Sequence, residues 1–184
     1  MDVIEIRRAV AAERDVLVAL QHASLRVLGR ACYEDSAIEA FITEVGTMDP
    51  SLLDAGTYFA ARIGSQLIGC GGWTSRSPSY ADHLPGGRET APRATIRSIY
   101  VDPHWVRRGV ASVVMAAIER DIAAAGFRKA TLTATVNGVP FYRRLGYRSG
   151  EPVVLRLSGG VTFVCINMEK PLAHASGAAL QSAA

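Results

Sequence analysis

The segment from residue 94 to residue 125 constrains the fold most, because it joins a strand to the most regular helix of the chain through a short loop. Residues 94–102 are rich in β-branched and aromatic side chains and predict a strand that ends near Asp102. Apolar residues recur at helical spacing through residues 109–125, and Gly126 ends this helix. A strand that leads directly into an amphipathic helix is typical of α/β domains, so the chain is predicted to be α/β.

The other hydrophobic patterns predict a mixed, mostly antiparallel central sheet of about six to seven strands flanked by helices. Further strands are predicted at 3–7, 57–63, 66–74, 128–135, 147–157 and 161–169, and further helices at 11–29, 35–45 and 139–145. Asp35 or Ser36 is predicted to cap the second helix, and residues 75–93 to form a long loop. Two tight turns, at Gly64-Ser65 and Gly159-Gly160, predict that the flanking strands pair as hairpins.

The length of 184 residues predicts one domain, residues 1–170, followed by a small and polar tail at 171–184 that is predicted to be disordered. Apolar residues make up 49% of the chain, which excludes an intrinsically disordered protein. No apolar run reaches the roughly 18 residues of a spanning helix, and no secretory signal begins the sequence, so a cytoplasmic protein is expected. The three cysteines lie far apart and are predicted to be small core residues.

Charge is distributed unevenly along the chain. Residues 1–92 carry 8 basic and 12 acidic side chains, whereas residues 93–148 carry 10 basic and 3 acidic ones. The basic centre can meet nucleic acid or an anionic cofactor, or it can simply be a solvated surface. The central strands are mainly apolar and are not lined with basic and aromatic residues, so nucleic acid is the weaker of the two partners.

The loop after the first strand of the 94–125 segment can bind an anion. Unpaired backbone N–H groups and the positive end of the helix dipole lie at a helix N-terminus. Gly109 has no Cβ to obstruct a phosphate, and Arg107 and Arg108 add positive charge beside it. The alternative is an ordinary strand-to-helix connection. Walker, dinucleotide-binding and zinc-protease motifs are missing from the sequence, and no metal is predicted.

Three blocks of sequence together resemble the GCN5-related N-acetyltransferase (GNAT) superfamily. The block I-R-S-I-Y-V-D-P at 96–103 leads to R-R-G-V-A at 107–111, which is similar to the pyrophosphate loop of that family. The block F-Y-R-R-L-G-Y at 141–147 is similar to its F-Y-x-x-x-G-[FY] segment. The resemblance covers residues 3–170 and implies a single GNAT-like domain. It further implies an acetyltransferase that moves the acetyl group of acetyl-CoA directly to a primary amine of a small molecule or peptide.

The resemblance also implies roles for particular residues. The N–H near Val101 would polarise the thioester carbonyl, and Tyr142 would act as general acid toward the CoA sulfur. The cofactor-binding residues would be Val101, Arg107, Arg108, Gly109, Val110, Ala111 and Asn137. For Tyr142 the alternative is a core aromatic. Many relatives pair as dimers, so a homodimer is left open, whereas no nucleic-acid or membrane partner is expected.

Three positions depart from the family pattern. Val106 stands where the loop motif has Gln or Arg, and Thr95 stands where some members have a glutamate that acts as general base. Thr135 falls at the place of an asparagine that many members carry, and Asn137 lies two residues further on. The base is therefore not specified by the motif.

Candidates for the base come from the acidic part of the chain. Glu34 and Glu89 are preferred slightly over Asp82, and a water chain without a protein base is the alternative. The acidic first half would favour a cationic acceptor such as a polyamine. Arg97 on the central strand is predicted either to bind a carboxylate of the acceptor or to pair with an acid on the second helix.

Two functions of other classes compete with the enzyme. Because Thr95 stands in place of the glutamate base, one alternative is a non-catalytic acyl-CoA-binding or regulatory module on the same fold. A nucleic-acid-binding domain would use Arg107, Arg108, Arg143 and Arg144.

Overall fold

The computed structural model describes residues 3–76 and 93–173. Its strands are β1 (Glu5–Arg8), β2 (Tyr58–Ile63), β3 (Gln66–Thr74), β4 (Ala94–Val101), β5 (Lys129–Thr135), β6 (Arg148–Arg156) and β7 (Thr162–Pro171). Its α-helices are α1 (Arg14–Leu28), α2 (Asp35–Ala40), α3 (Ser51–Asp54), α4 (Val110–Ala124) and α5 (Val139–Arg144). The strands form one seven-stranded sheet in the order β1-β2-β3-β4-β5-β7-β6. Among the strands of the described residues, only β4 and β5 pair in parallel, which confirms the predicted mixed and mostly antiparallel sheet.

Helices cover both faces of this sheet. The apolar stripe of α4, which includes Val114 and Ile118, packs on β2, β3 and β4 over one face. On the other face α1 packs against β3 and β4, and Leu17 lies there in a cluster with Tyr58 and Cys70. Alternation along β3 produces this division, because successive side chains of a strand point to opposite faces.

The sheet opens in its middle, between β4 and β5. These strands pair only through residues 94–96 of β4 and 130–132 of β5, and the rest of each strand has no partner on that side. A bulge shifts the register of β4 against β3 between the pairs Tyr100–Cys70 and Arg97–Gly72. Ser98, inside the bulge, has a left-handed φ of 55°. The opening therefore begins where β4 leaves regular strand geometry.

Two local predictions in the helical part were wrong. Glu34 is the N-cap of α2 rather than Asp35 or Ser36, and its side chain makes no capping hydrogen bond. The second helix also changes its winding, since Phe41–Val45 forms a π-helical turn. The short helix α3 was not predicted at all, because a four-residue helix is too short to show periodicity.

The cysteine prediction was met in part. Cys70 and Cys165 are buried as predicted, but Cys32 is exposed in the turn after α1 and was wrongly assigned to the core. The sheet continues one residue past the predicted boundary, and the N–H of Leu172 donates to the Arg128 carbonyl at 2.8 Å. Of the predicted loop at 75–93, residues 77–92 lie outside the described residues, as do residues 174–184 of the predicted tail at 171–184. Within the described ranges, every helix is too short or too polar to cross a bilayer.

Candidate active site

A cavity of about 920 Å³ occupies the opening between β4 and β5. It extends from the N-terminus of α4 at one end to the C-terminal half of α1 and residues 46–47 at the other. The backbone of residues 96–101 forms one wall, and residues 132–135 form the wall opposite. A volume of this size is typical of a small-molecule binding site.

The N-terminus of α4 forms the anion-binding end of this cavity. Gly109, the N-cap residue, has φ 83° and no side-chain capping bond, and the first turn contains no acidic residue. The first N–H groups of an α-helix have no acceptor within the helix, so those of Val110, Ala111 and Ser112 are available to a ligand. Gly109, Val110, Ala111 and Ser112 line the cavity, as the anion-site hypothesis requires.

Arginines lie in the loop before this helix end and elsewhere in the cavity wall. Arg107 lines the cavity and has a left-handed φ of 62°. The guanidinium of Arg108 lies over the Trp105 ring, 4.8 Å from its centroid, and is outside the lining. Arg144, in the last turn of α5, also lines the cavity. Sequence reasoning missed Arg144 as a residue of this site, because its place in the cavity wall depends on how α5 packs.

The backbone of Val101 points its N–H toward the opening. The next residue, Asp102, donates its N–H to Ile68 of β3 at 2.9 Å. Successive N–H groups of a strand point to alternate sides, so the N–H of Val101 faces away from β3 and toward β5. Since β5 does not pair with β4 at this level, that N–H is free to bind a ligand carbonyl.

Tyr142, on α5, lines the same cavity between the two unpaired strand ends. Its ring contacts Phe141 and Tyr147 edge-on, at centroid distances of 5.1 and 5.9 Å. Burial raises the pKa of its hydroxyl above the ordinary value of 10.0. Among the hydrogen bonds of residues 3–76 and 93–173, none uses this hydroxyl. The group is a protonated donor that faces a ligand site.

Asn137 lies at the turn between β5 and α5 and lines the cavity together with Thr135. Its Nδ2 donates to the carbonyl of Leu28 in the last turn of α1 at 3.2 Å. Its Oδ1 is buried and has no hydrogen-bond partner. The structure thus places Asn137 beside the opening, and its role in binding the cofactor stays a prediction.

Arg97 also lines the cavity, and its charge is paired. One guanidinium nitrogen lies 3.2 Å from a carboxylate oxygen of Asp49, and the two side chains are 9% and 12% exposed. Asp49 follows the π-helical turn and is not on the second helix, where the pairing alternative had placed the partner. The observed ion pair favours a structural role for Arg97, and its contact with an acceptor stays a prediction.

The proposed bases are not found in the cavity wall. Glu34 is exposed at the start of α2 and does not line the cavity, whereas Glu89 and Asp82 lie outside the described residues. Thr95 bonds to the hydroxyl of Thr131 at 3.1 Å and is also outside the lining. The structure does not bring Glu34 or Thr95 to the place where an acceptor would react.

Acids of the first half of the chain pair locally with arginines. Glu13 binds Arg7 and Arg62, Glu39 binds Arg26, and Asp35 binds Arg30. The charged side chains among the described lining residues are all arginines. The net charge of residues 1–92 therefore does not predict the charge of the cavity wall in the described part of the chain. No group of three potential metal ligands occurs in the described part of the chain.

These features define a class of protein: an α/β domain with a sheet that opens beside the bare N-terminus of a helix. A family model described as "Acetyltransferase (GNAT) family" matches residues 22–147. The chain belongs to this family. Comparison with curated protein sequences gives no match.

Solved structures of the same fold cover nearly the whole chain. A GCN5-related N-acetyltransferase from Rhodopseudomonas palustris is 20% identical with a TM-score of 0.71, and the match covers 94% of this chain and 98% of that one. The PaiA N-acetyltransferase of Thermoplasma acidophilum, solved with coenzyme A, is 19% identical with a TM-score of 0.65, over 92% and 99% of the two chains. A polyamine N-acetyltransferase from Drosophila melanogaster is 14% identical with a TM-score of 0.65, over 92% and 100%. At these identities the likeness shows the fold.

Proposed function

We propose that this protein transfers the acetyl group of acetyl-CoA directly to a primary amine of a small molecule or peptide. One observation carries the proposal: the opening between β4 and β5 joins a free strand edge to the bare N-terminus of α4 in a single cavity. Acetyl-CoA has a diphosphate at one end and an amide-containing arm that ends in the thioester. A helix N-terminus suits the diphosphate, and a free strand edge suits the arm.

The donor end of the site has the charges that this orientation needs. Arg107 and Arg144 line the cavity, and Arg108 is beside the loop on Trp105. Their positive charge adds to the helix dipole and favours a polyanion at this end. A solved relative, the Thermoplasma PaiA N-acetyltransferase, is described as a complex with coenzyme A, which supports the same donor.

At the reacting end, two groups assist the transfer. The amine nitrogen attacks the thioester carbon, the carbon–sulfur bond breaks, and the sulfur takes up a proton. The N–H of Val101 would bind the carbonyl oxygen as negative charge develops on it. Tyr142 would donate its proton to the leaving sulfur, and its raised pKa keeps that proton in place at neutral pH.

The acceptor has to lose a proton before or during its attack. An alkylammonium with a pKa near 10 is only about one part in a thousand neutral at pH 7. Relatives described as polyamine and agmatine N-acetyltransferases support a small amine as acceptor. Arg97 in the cavity wall is paired with Asp49, and Arg107 and Arg144 are assigned to the diphosphate, so the charges of the described wall set no preference between a monoamine and a polyamine.

A non-catalytic acyl-CoA-binding module is the second candidate. Thr95 supports it, since a hydroxyl cannot act as base at neutral pH and this one is engaged with Thr131 outside the cavity lining. Such a module would bind acetyl-CoA through the same loop and would turn over none of it. Cytoplasmic location and dimer formation stay predictions in either case.

Two measurements test the proposal in sequence. Thermal unfolding with acetyl-CoA, CoA or duplex DNA shows which ligand binds the folded state, because only such a ligand raises the melting temperature. Release of CoA thiol is then followed across a panel of amines with the wild-type protein and with Tyr142→Phe. We expect turnover in the wild type and a loss of about 10²-fold in kcat in the variant. Stabilisation by acetyl-CoA without turnover would favour the binding module, and equal turnover in both proteins would remove the role of Tyr142.

A further inference from the structure

A buried chain of hydrogen bonds connects α1 to the bulge of β4. Gln21, fully buried on α1, donates from Nε2 to the hydroxyl of Tyr58 at 2.7 Å. The same hydroxyl donates to the carbonyl of Ser98 at 3.0 Å. Ser98 in turn donates from its own hydroxyl to the carbonyl of Thr47 at 2.6 Å. The bulge is therefore tied to two segments outside the sheet.

Tyr58 reaches β4 because β3 makes room for its ring. Tyr58 lies on β2, opposite Gly72 of β3, and Gly72 in turn lies opposite Arg97 of β4. A Cβ on Gly72 would be 2.5 Å from the Tyr58 ring and 2.6 Å from the Thr57 carbonyl. Because glycine stands at this position, the Tyr58 ring can lie across β3. The side chain therefore reaches from β2 to β4, where its hydroxyl bonds Ser98.

The tyrosine hydroxyl is well suited to hold this position. Tyr58 is completely buried, and burial raises the pKa of its hydroxyl well above 10.0, so it stays a proton donor at any working pH. Its one proton points to Ser98, because Gln21 supplies the hydrogen bond that its oxygen accepts. Ser98 needs such support, since a left-handed φ is unfavourable for a residue with a Cβ.

The conformation at Ser98 determines the geometry of the reacting end. Pairing of β4 with β5 stops at Ile96, two residues before Ser98, and Val101 follows three residues after it. A bulge bends its strand and increases the local twist. The bulge thus lies between the last residue of β4 that pairs with β5 and Val101, whose N–H faces the cavity in the shifted register beyond the bulge.

We propose that Tyr58, supported by Gln21, is a positioning residue for acetyl transfer: it fixes the bulge at Ser98 and thereby aligns the Val101 N–H with the thioester carbonyl. This rests on the proposed function. The residue lies outside the cavity lining and acts only through Ser98. The hydrogen bonds of this chain join Gln21, Tyr58, Ser98 and Thr47, and none of these residues belongs to the loop and helix start at 106–112 that is proposed for the diphosphate.

The test compares Tyr58→Phe with Trp73→Phe. The first removes the hydroxyl that bonds Ser98. The second removes a comparable hydrogen bond, from Trp73 Nε1 to Asp121 at 2.7 Å, on the face of the sheet covered by α4. We measure kcat for acetyl transfer and the dissociation constant of CoA by calorimetry. Gln21→Met, which leaves the Tyr58–Ser98 bond in place, is the milder second variant should Tyr58→Phe not fold.

We expect Tyr58→Phe to lower kcat about tenfold while its affinity for CoA stays within about twofold of wild type, since a misaligned oxyanion donor retains part of its effect. Trp73→Phe should leave kcat within about twofold, and Gln21→Met should fall between the two. Equal kcat values in Tyr58→Phe and Trp73→Phe would overturn the proposal. So would a parallel loss of CoA affinity, which would indicate a general loss of structure.

A readout without turnover separates this proposal from the proposed function. The resonance of the Val101 amide proton should differ between the CoA complex and the acetyl-CoA complex in nuclear magnetic resonance spectra, because only acetyl-CoA carries the thioester carbonyl that this N–H is proposed to bind. We expect that difference in the wild type and in Trp73→Phe, and a smaller one in Tyr58→Phe. An undiminished difference in Tyr58→Phe refutes the positioning role alone, whereas no difference in the wild type refutes the contact on which both proposals depend.

Discussion

Replacement of Gly109 by alanine tests whether the N-terminus of α4 binds an anion, because its effect on ligand affinity can be distinguished from its effect on the stability of the protein. Gly109 caps the helix at φ 83°, and a Cβ built there meets no atom within 4 Å. The methyl group therefore causes no clash inside the protein, and the cost is the left-handed conformation itself, about 1 kcal/mol in the free energy of unfolding. The methyl group would instead occupy the open space where the diphosphate is proposed to approach.

Gly126, at the other end of the same helix, provides a matched control. It has φ 89°, and a Cβ on it also meets nothing within 4 Å. Gly126→Ala should lose the same stability, about 1 kcal/mol, and leave ligand binding intact. Gly109→Ala should weaken CoA binding at least tenfold, or about 1.4 kcal/mol, because a hydrogen bond to a charged phosphate contributes about 1.5–3 kcal/mol.

The assay combines urea unfolding with calorimetric titration of CoA into each protein. Our reasoning requires equal losses of stability in Gly109→Ala and Gly126→Ala, and a loss of affinity in Gly109→Ala alone. Equal CoA affinities in the two variants would refute it, because the diphosphate would then not lie at the start of α4.

Two further substitutions test the ion pairs. Arg97→Ala leaves the Asp49 carboxylate buried without this partner, so we expect a loss of about 3 kcal/mol in urea unfolding; unchanged stability together with lost turnover would instead indicate that Arg97 binds the acceptor. Hydrogen bonds from Arg7 hold the pKa of Glu13 at about 2, against 4.5 for the free group, and the side chain of Glu13 is 13% exposed. Because this pKa is depressed on folding, its contribution is fully present above pH 4.5 and is lost as the pH falls toward 2. Glu13→Gln should therefore destabilise the protein by up to about 3 kcal/mol at pH 7 and by much less at pH 2.5, and an equal loss at both pH values would contradict this.

The sequence predicted the long elements because their hydrophobic periodicity is strong. The stripe of α4 and the hairpin of β2 and β3 around Gly64-Ser65 appear in the structure within one residue of the prediction. Short or irregular segments escaped, among them α3 and the π-helical turn at Phe41–Val45, since four or five residues define no period.

The site was predictable where it depends on local chemistry and not where it depends on packing. Gly109 marked the start of α4, and both Gly109 and Tyr142 prove to line the cavity. Ser98 gave no signal, because a left-handed serine in a strand looks like any other serine, yet the opening of the sheet begins beside it. Arg144 reaches the cavity only through the packing of α5.

Charge summed over a segment does not give the charge of the cavity wall, for a physical reason. The excess of acids in residues 1–92 suggested a pocket for a cationic acceptor. Carboxylates such as Glu13 and Glu39 are instead bound to neighbouring arginines, at 2.6 Å in both cases, so they contribute little net field at a distance. The field in the cavity depends on which charges face it and on whether they are paired: in the described wall Arg97 is itself paired with Asp49, and the other charged side chains are Arg107 and Arg144.

The most direct test of the account is a crystal structure of the protein grown with acetyl-CoA. We expect the diphosphate oxygens about 3 Å from the backbone nitrogens of residues 110–112, the pantetheine arm along the free edge of β4, and the thioester oxygen at the Val101 N–H. A diphosphate bound elsewhere, or a β4 edge left unoccupied in the complex, would contradict the central claim.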